Sequence, residues 1–267
     1  NKNKQINLDE NALCLEYTKG VNPIRAGTIK SIPFKSFPSS IHESGKSGLH
    51  PLDISNELEV TGPATSPGLC ANFIRLLKND NIKTNFNSSS ELFYVIKGGG
   101  YTTFSDIKIP WKKGDFVVIP AEDEVTHYGQ DEESSLYLIH DQPLLDYLGA
   151  KASIKKFKPV LFTNERSLKQ LEKARNEGNA VNRSRISVIL VNKAMDQTLT
   201  VSHTMWAMLG VLPKDANQLP HRHQSVALDL ILDCKPGCYT LVGEKIDQEG
   251  NIINPTREEW QPNSVFI

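Results

Sequence analysis

From Leu69 to His140 the chain is a series of short β-branched and aromatic runs, each stopped by a turn signal after about ten residues. That spacing belongs to an all-β sandwich or barrel. Residues 73–77, 91–97, 101–104, 116–120 and 135–140 are the predicted strands. Gly98-Gly99-Gly100 supplies the positive-φ positions of one hairpin turn, and Lys113-Gly114-Asp115 forms another.

The pattern returns after an interruption. Residues 186–191, 198–212, 226–232 and 239–242 read as strands, and 260–267 as one still running at the last residue. Between the halves, Asn164 is expected to cap a helix over 165–176, with Leu168 and Leu171 on one face and Gly178 as its stop. Lys151, Lys155, Lys156 and Lys158 before it read as a solvated face. Residues 1–60 are broken by Pro23, Pro33 and Pro38 and are expected to form an arm over a later barrel. The expected organisation is therefore an arm over 1–60, a first barrel over 61–150, a helical linker over 151–180 and a second barrel over 181–267.

The two halves align with each other. Asn85-Phe86-Asn87 and Glu91 correspond to His221-Arg222-His223 and Ala227. Gly98-Gly99-Gly100-Tyr101 corresponds to Pro236-Gly237-Cys238-Tyr239, and the segment from Trp111 to Ile119 corresponds to that from Trp260 to Ile267. One β unit is thus repeated about 140 residues apart.

Lys and Arg total 30 against 31 Asp and Glu, a net charge of −1, which gives no global attraction to nucleic acid or to an anionic membrane. No apolar run approaches the ~20 residues that span a bilayer. Cys14, Cys70, Cys234 and Cys238 are too scattered for a disulfide framework. The Cys234–Cys238 pair across its Lys-Pro-Gly turn is read as two reduced thiols of a cytoplasmic protein, with a cross-hairpin disulfide as the alternative. The opening Asn1-Lys2-Asn3-Lys4-Gln5 has no initiator Met and no signal-peptide pattern, so the sequence reads as cropped at both ends.

Pro220-His221-Arg222-His223 carries the chemistry. Two imidazoles at i and i+2 on an extended segment face the same way and can offer two nitrogens to one metal ion. Arg222, between them, is expected to face away and to form a salt bridge. Arg183 and Arg185 share one face of the strand entering the second unit, where they either clamp a substrate carboxylate or pair on the surface. Gln218 precedes the motif within reach of a barrel mouth. Met205, Trp206 and Met208 are expected to pack the barrel, and His203 to be a satisfied core or surface residue.

These motifs resemble the cupin superfamily. The first cupin motif is His-x-His, three or four residues, then Glu; the second is a Gly-Asp turn, a strand, Pro and a further His. Two such units resemble a bicupin, and the segment from Pro220 to Leu228 is most similar to the gentisate 1,2-dioxygenase group, as is the segment from His140 to Gly149. The resemblance covers about residues 69–267 and implies two β-barrels in one chain. It also implies an Fe(II)-dependent ring-cleaving dioxygenase taking O2 and a hydroxylated aromatic acid.

By the same resemblance His221 and His223 are metal ligands, Ala227 stands where many cupins place Glu, and a third His is expected beyond Ile267. The first unit departs from the pattern. Asn85 and Asn87 replace both histidines while Glu91 and His127 remain, so it is expected to hold no tightly bound iron. Glu91 and His127 form either a vestigial site or, as the preferred reading, a buried hydrogen-bonded pair. Other metal-dependent cupin chemistry (a lyase or isomerase) and a non-catalytic binding protein stay open as alternatives. A homo-oligomer is expected from the exposed edges of such barrels.

Overall fold

The computed structural model describes residues 9–23, 25–180, 183, 185–223 and 225–267. They fall into two units, residues 1–33 and residues 34–267. In the smaller unit a 3-10 turn at Asp9–Asn11 precedes helix α1 (Tyr17–Gly20), whose first turn is capped by the Glu16 carboxylate accepting from the Thr18 N–H.

The larger unit opens with β1 (Ser36–Phe37), α2 (Ser40–Glu43), β2 (Gly48–Pro51) and α3 (Ser55–Leu58). The first barrel follows as β3 (Cys70–Leu76), β4 (Asn81–Thr84), β5 (Ser90–Lys97), β6 (Gly99–Phe104), β7 (Ile107–Lys112), β8 (Phe116–Pro120), β9 (Val125–Gly129) and β10 (Ser134–His140). Then come α4 (Gln142–Leu148), β11 (Val160–Phe162) and α5 (Asn164–Arg175). The second barrel is built from β12 (Ile186–Leu190), β13 (Ala207–Val211), β14 (Asp229–Leu230), β15 (Tyr239–Val242), β16 (Thr256–Glu259) and β17 (Val265–Phe266). Among the described residues no helix is long and apolar enough to cross a membrane.

A six-stranded sheet, ordered β11-β8-β5-β10-β3-β2, faces a four-stranded sheet, ordered β4-β9-β6-β7. Strand alternation sends Ile74, Leu76, Phe93, Val95, Val117, Ile119, Leu136 and Leu138 of the larger sheet inward. They meet Phe104, Trp111 and Val125 of the smaller one. The alternate residues of the larger sheet are apolar as well. Leu92, Phe116 and Val118 pack outward against Ile186, Leu190, Val201, Met205 and Leu209 of the second barrel, with Leu171 of α5 in the same cluster. Ala71, Phe73, Ile96 and Tyr137 pack outward against Phe37 and Val265. Two buried faces explain why β3, β5, β8 and β10 read as nearly unbroken apolar runs.

The repeat seen in the sequence extends to side-chain contacts. Trp111 donates its indole N–H to Thr102 Oγ at 2.9 Å, and Trp260 donates to Thr240 Oγ at 2.8 Å. Lys108 Nζ sits 3.8 Å above the Tyr101 ring, and Arg257 Cζ 3.6 Å above that of Tyr239. The turn after each Trp uses a left-handed residue, Gly114 in the first barrel (φ 90°) and Asn263 in the second (φ 64°). Each turn leads into a strand that pairs antiparallel with the motif strand, β8 with β5 and β17 with β14. Phe93 opposes Val117, and at the repeated position Asp229 opposes Phe266.

Several expectations need correction. The α5 cap is Thr163, whose hydroxyl accepts from the Arg166 N–H at 3.3 Å, while the Asn164 N–H bonds Asp115 Oδ1. The strand expected over 198–212 is confined to β13. Leu199 turns at φ 56°, and Asn192 ties the preceding loop through its bonds to Thr200 and Val201. Trp206 is half exposed, not packed in a barrel, whereas Met205 is buried. The Arg183 and Arg185 pair precedes β12 and does not lie on it, and Ser184 falls outside the described residues. Cys234 and Cys238 are both free thiols, as read from the sequence.

The Thr–Trp pair tests the repeat energetically. Thr102 is fully buried and its partner Thr240 is half-buried. Thr102→Val leaves the Trp111 N–H unpaired in the interior and is expected to cost about 2–3 kcal/mol in urea unfolding, against about 1 kcal/mol for Thr240→Val. Equal losses would contradict this assignment of burial.

Candidate metal centre

The described residues between β13 and β14, 212–223 and 225–228, have no regular structure. Among them, His221 and His223 are exposed. Their rings stand at 90° with centroids 4.8 Å apart, and Nε2 of one is 3.1 Å from Nε2 of the other. His221 Nδ1 lies 3.2 Å from the Leu219 carbonyl. A carbonyl only accepts, so Nδ1 carries the proton and Nε2 keeps its lone pair. A lone pair aimed at a second imidazole nitrogen at 3.1 Å needs a proton or a cation between them. Neighbouring ligands about 3 Å apart also suit a metal with N distances of about 2.1 Å. The contact is satisfied by an N–H of His223 donating to His221 Nε2, and the same spacing would admit a divalent metal, with His221 oriented by the backbone in the way metal-ligating histidines are oriented.

Other residues around the pair are placed as follows. Arg222 donates to the Glu244 backbone carbonyl, not to a carboxylate as expected. Gln218 is exposed on the same segment. Arg183 is held by the Glu177 carboxylate at 2.9 Å and by Asn179 at 2.7 Å. Arg185 acts on Asp229 instead. Burial pushes the Asp229 carboxyl up, and Arg185, His223 and His221 in that order pull it back. Asp229 carries no motif signature and was not singled out from the sequence. Among the described residues no three His, Cys, Asp or Glu side chains close on one point.

The first barrel is organised differently at the matching positions. Asn85 is exposed. Asn87 fastens the chain after α4, donating to the Ala150 carbonyl at 2.8 Å and accepting from the Ala152 N–H at 3.2 Å. Neither amide is arranged as a ligand. Glu91, His127 and His140 are each almost completely buried. Glu91 and His140 are direct cross-strand partners on β5 and β10, and His127 meets Phe93 edge-on at 5.3 Å. The expected hydrogen-bonded pair of Glu91 and His127 does not form: among the described residues Glu91 Oε2 and His127 Nε2 have no partner.

Hydrogen bonding fixes the His140 imidazole. Its Nδ1 accepts the Gln142 N–H at 3.3 Å, so the ring carries its proton on Nε2. Thr102 Oγ accepts the Trp111 N–H and lies 2.9 Å from His127 Nδ1, a contact that either tautomer of His127 makes. Among the described residues Nε2 of each ring is buried without a partner. At His140 the first barrel presents an N–H donor where a metal needs a lone pair. His140 came with no role from the sequence; its position opposite Glu91 follows only from strand register.

Burial acts on these groups in opposite senses. It pushes Glu91 up to about 8, with Asp141 and Glu122 adding to the effect. It pushes His127 and His140 down to about 3.

A repeated β unit whose halves share one sheet interface is the architecture of the two-barrel cupins, and this chain has that fold. It is similar to a salicylate 1,2-dioxygenase from Pseudoaminobacter salicylatoxidans, with a TM-score of 0.61 over 94% of this chain and 80% of that one, at 12% identity. It is also similar to a cupin 2 conserved barrel domain protein from Leptotrichia buccalis, with a TM-score of 0.50 over 87% and 88% of the two chains, at 15% identity. A more local match to a salicylate 1,2-dioxygenase from Pseudaminobacter salicylatoxidans spans 41% of this chain and 32% of that one, at 21% identity and a TM-score of 0.33. No family model and no curated protein matches the sequence.

The buried groups make stability depend on pH with a definite sign. Between about pH 4.5 and 8 the native state holds the Glu91 proton that the unfolded chain releases, so stability falls as pH rises through that window. From about pH 6.5 down to 3 the unfolded chain binds protons that native His127 and His140 refuse, so stability falls as pH drops. Thermal melts across pH 3–9 are expected to show both limbs, and Glu91→Gln is expected to flatten the alkaline one. An unchanged alkaline slope in that variant would contradict the buried protonated carboxyl.

Proposed function

We propose that the chain acts as a metal-dependent ring-cleaving dioxygenase of gentisate 1,2-dioxygenase type, on a hydroxylated aromatic carboxylate, with its metal held by the second barrel. The barrels are assigned to residues 61–150 and 181–267. The observation that carries this reading is the approach of His221 Nε2 and His223 Nε2 to 3.1 Å, with His221 Nδ1 tied to a carbonyl. The fold it shares with salicylate 1,2-dioxygenase supports it.

His221 and His223 would hold Fe(II), which supplies Lewis acidity and one-electron chemistry toward O2. Neutral imidazoles leave the ion's charge uncancelled, which favours an anionic chelating substrate. Arg185 is assigned to the substrate carboxylate, because Arg183 is already committed to Glu177 and Asn179. Gln218, on the same exposed segment as the pair, is assigned to substrate hydrogen bonding. The first barrel contributes no metal; its role is to present the apolar outer face against which the second barrel is built.

The test is oxygen uptake by the iron-loaded protein with gentisate, salicylate or 1-hydroxy-2-naphthoate. Uptake with at least one of them is expected, with a loss of about a hundredfold or more in His221→Ala and in His223→Ala. Product formed without O2 consumption would replace this reading with a lyase or isomerase. A loaded protein inert to all three acids would leave a binding protein.

A further inference from the structure

The turn that leads into β15 carries two cysteines with no part in the metal reading. Cys234 and Cys238 are half-buried free thiols. Between them the chain reverses over Lys235, Pro236, Gly237 and Cys238. The Cys238 N–H donates to the Lys235 carbonyl at 3.3 Å, and Gly237 stands at φ 89°. Proline at the second position and a positive-φ glycine at the third make this a type II turn, whose end residues lie within about 7 Å of each other.

The neighbouring strand places the thiols more closely. The β15–β16 register begins with Tyr239 opposite Glu259, so the next pair outward is Cys238 with Trp260. Trp260 donates its backbone N–H to the Cys238 carbonyl at 2.9 Å. In an antiparallel ladder such a pair exchanges two bonds, and the Trp260 carbonyl would receive the Cys238 N–H. The turn has taken that N–H. The Cys234 thiol meets the Trp260 carbonyl instead, at 3.5 Å. The Cys234 sulfur thus stands in for a missing backbone bond of Cys238 and lies beside that residue, against the same edge of Trp260. Burial pushes the Cys234 thiol up, and the neighbouring Cys238 adds to the effect.

We propose that Cys234 and Cys238 are a redox modification site, a thiol pair that closes reversibly to a disulfide by exchange with a low-molecular-weight disulfide such as oxidised glutathione. The Cys238 thiolate attacks one sulfur of that disulfide, forms a mixed disulfide and expels the first thiolate. Cys234, whose proton is held against the Trp260 carbonyl, reacts second. It gives that proton to solvent, its sulfur attacks the Cys238 sulfur, and the second thiolate leaves. The pair loses two electrons and two protons, and the external disulfide is reduced to two thiols. The new bond ties the start of β15 to the segment leaving β14 and removes the thiol donor from the Trp260 carbonyl.

Incubation of the full chain in glutathione buffers, followed by acid quenching, alkylation and peptide mass mapping, tests this. An excess of oxidised glutathione is expected to remove two hydrogens from the peptide that holds both cysteines and to protect both from alkylation. An excess of reduced glutathione is expected to restore them. Cys14, exposed and without a neighbouring thiol, is the internal control and is expected to take up a glutathione adduct. Cys70, buried with its thiol pushed up to about 12, is expected to stay unmodified. Cys234→Ser keeps a hydroxyl donor for the Trp260 carbonyl and is expected to trap glutathione on Cys238. Separate glutathione adducts on Cys234 and Cys238 in the native chain would overturn the proposal. So would disulfides formed only between chains, or a pair still fully alkylated when Cys14 has been converted.

Discussion

The fold depends on a sheet that is apolar on both faces. In β5, Phe93 and Val95 fill the first barrel, while Leu92, Tyr94 and Ile96 look outward. Burying a side chain of this size is worth about 1.5–3 kcal/mol, and leaving such an outer row in water would forfeit that gain at every position. The second half supplies the cover. The β12–β13 hairpin and α5 close over Leu92, Phe116 and Val118, and β14 with β17 closes over Phe73, Ile96 and Tyr137. A polar tie crosses the same boundary, from Thr204 Oγ to the buried Asp141 carboxylate at 2.8 Å. The two barrels are consequently not separate modules joined by a linker. The helix between them is part of the seal, with Leu171 inside it.

That dependence shapes what was legible in the sequence. Strands buried on both faces carry dense apolar runs; β5, β8 and β10 could be read within a residue or so, and β3, which begins at Cys70, was placed too late at its start. The strands of the smaller sheet are another matter. The edge strand β7 contains Pro110, and the other edge, β4, is mostly polar and exposed. A residue with no ladder bond to make on its outer side can be proline, and an edge facing water can be polar. The alternation of Ile107, Ile109 and Trp111 in β7 is interrupted by Pro110, a residue that argues against a strand, and β4 shows no such run. In the second half, β14 and β17 have only two residues each, too few for any alternation to be visible.

The candidate site was legible to the extent that its chemistry is local. His221 and His223 adjoin in sequence and adjoin in space. The aligned Glu position at Ala227 was also readable. His140 was not. Its opposition to Glu91 comes from the pairing of β10 with β5, forty-nine residues apart in sequence. Sequence spacing records neighbours along the chain, whereas sheets create neighbours across it.

The two barrels also differ in how their imidazoles are oriented. An imidazole binds a metal through a lone pair, and which nitrogen keeps the lone pair is set by what the other nitrogen touches. In the first barrel His140 Nδ1 meets a donor, the Gln142 N–H, so its proton is driven onto Nε2. In the second, His221 Nδ1 meets a carbonyl acceptor, so Nε2 is left bare. Replacing His by Asn at positions 85 and 87 is thus only part of the divergence. Thr102 is itself part of the repeat, matched by Thr240 beneath Trp260. The Thr–Trp pair that braces each hairpin has in the first barrel a second use, as the hydrogen-bond partner of the buried His127 Nδ1.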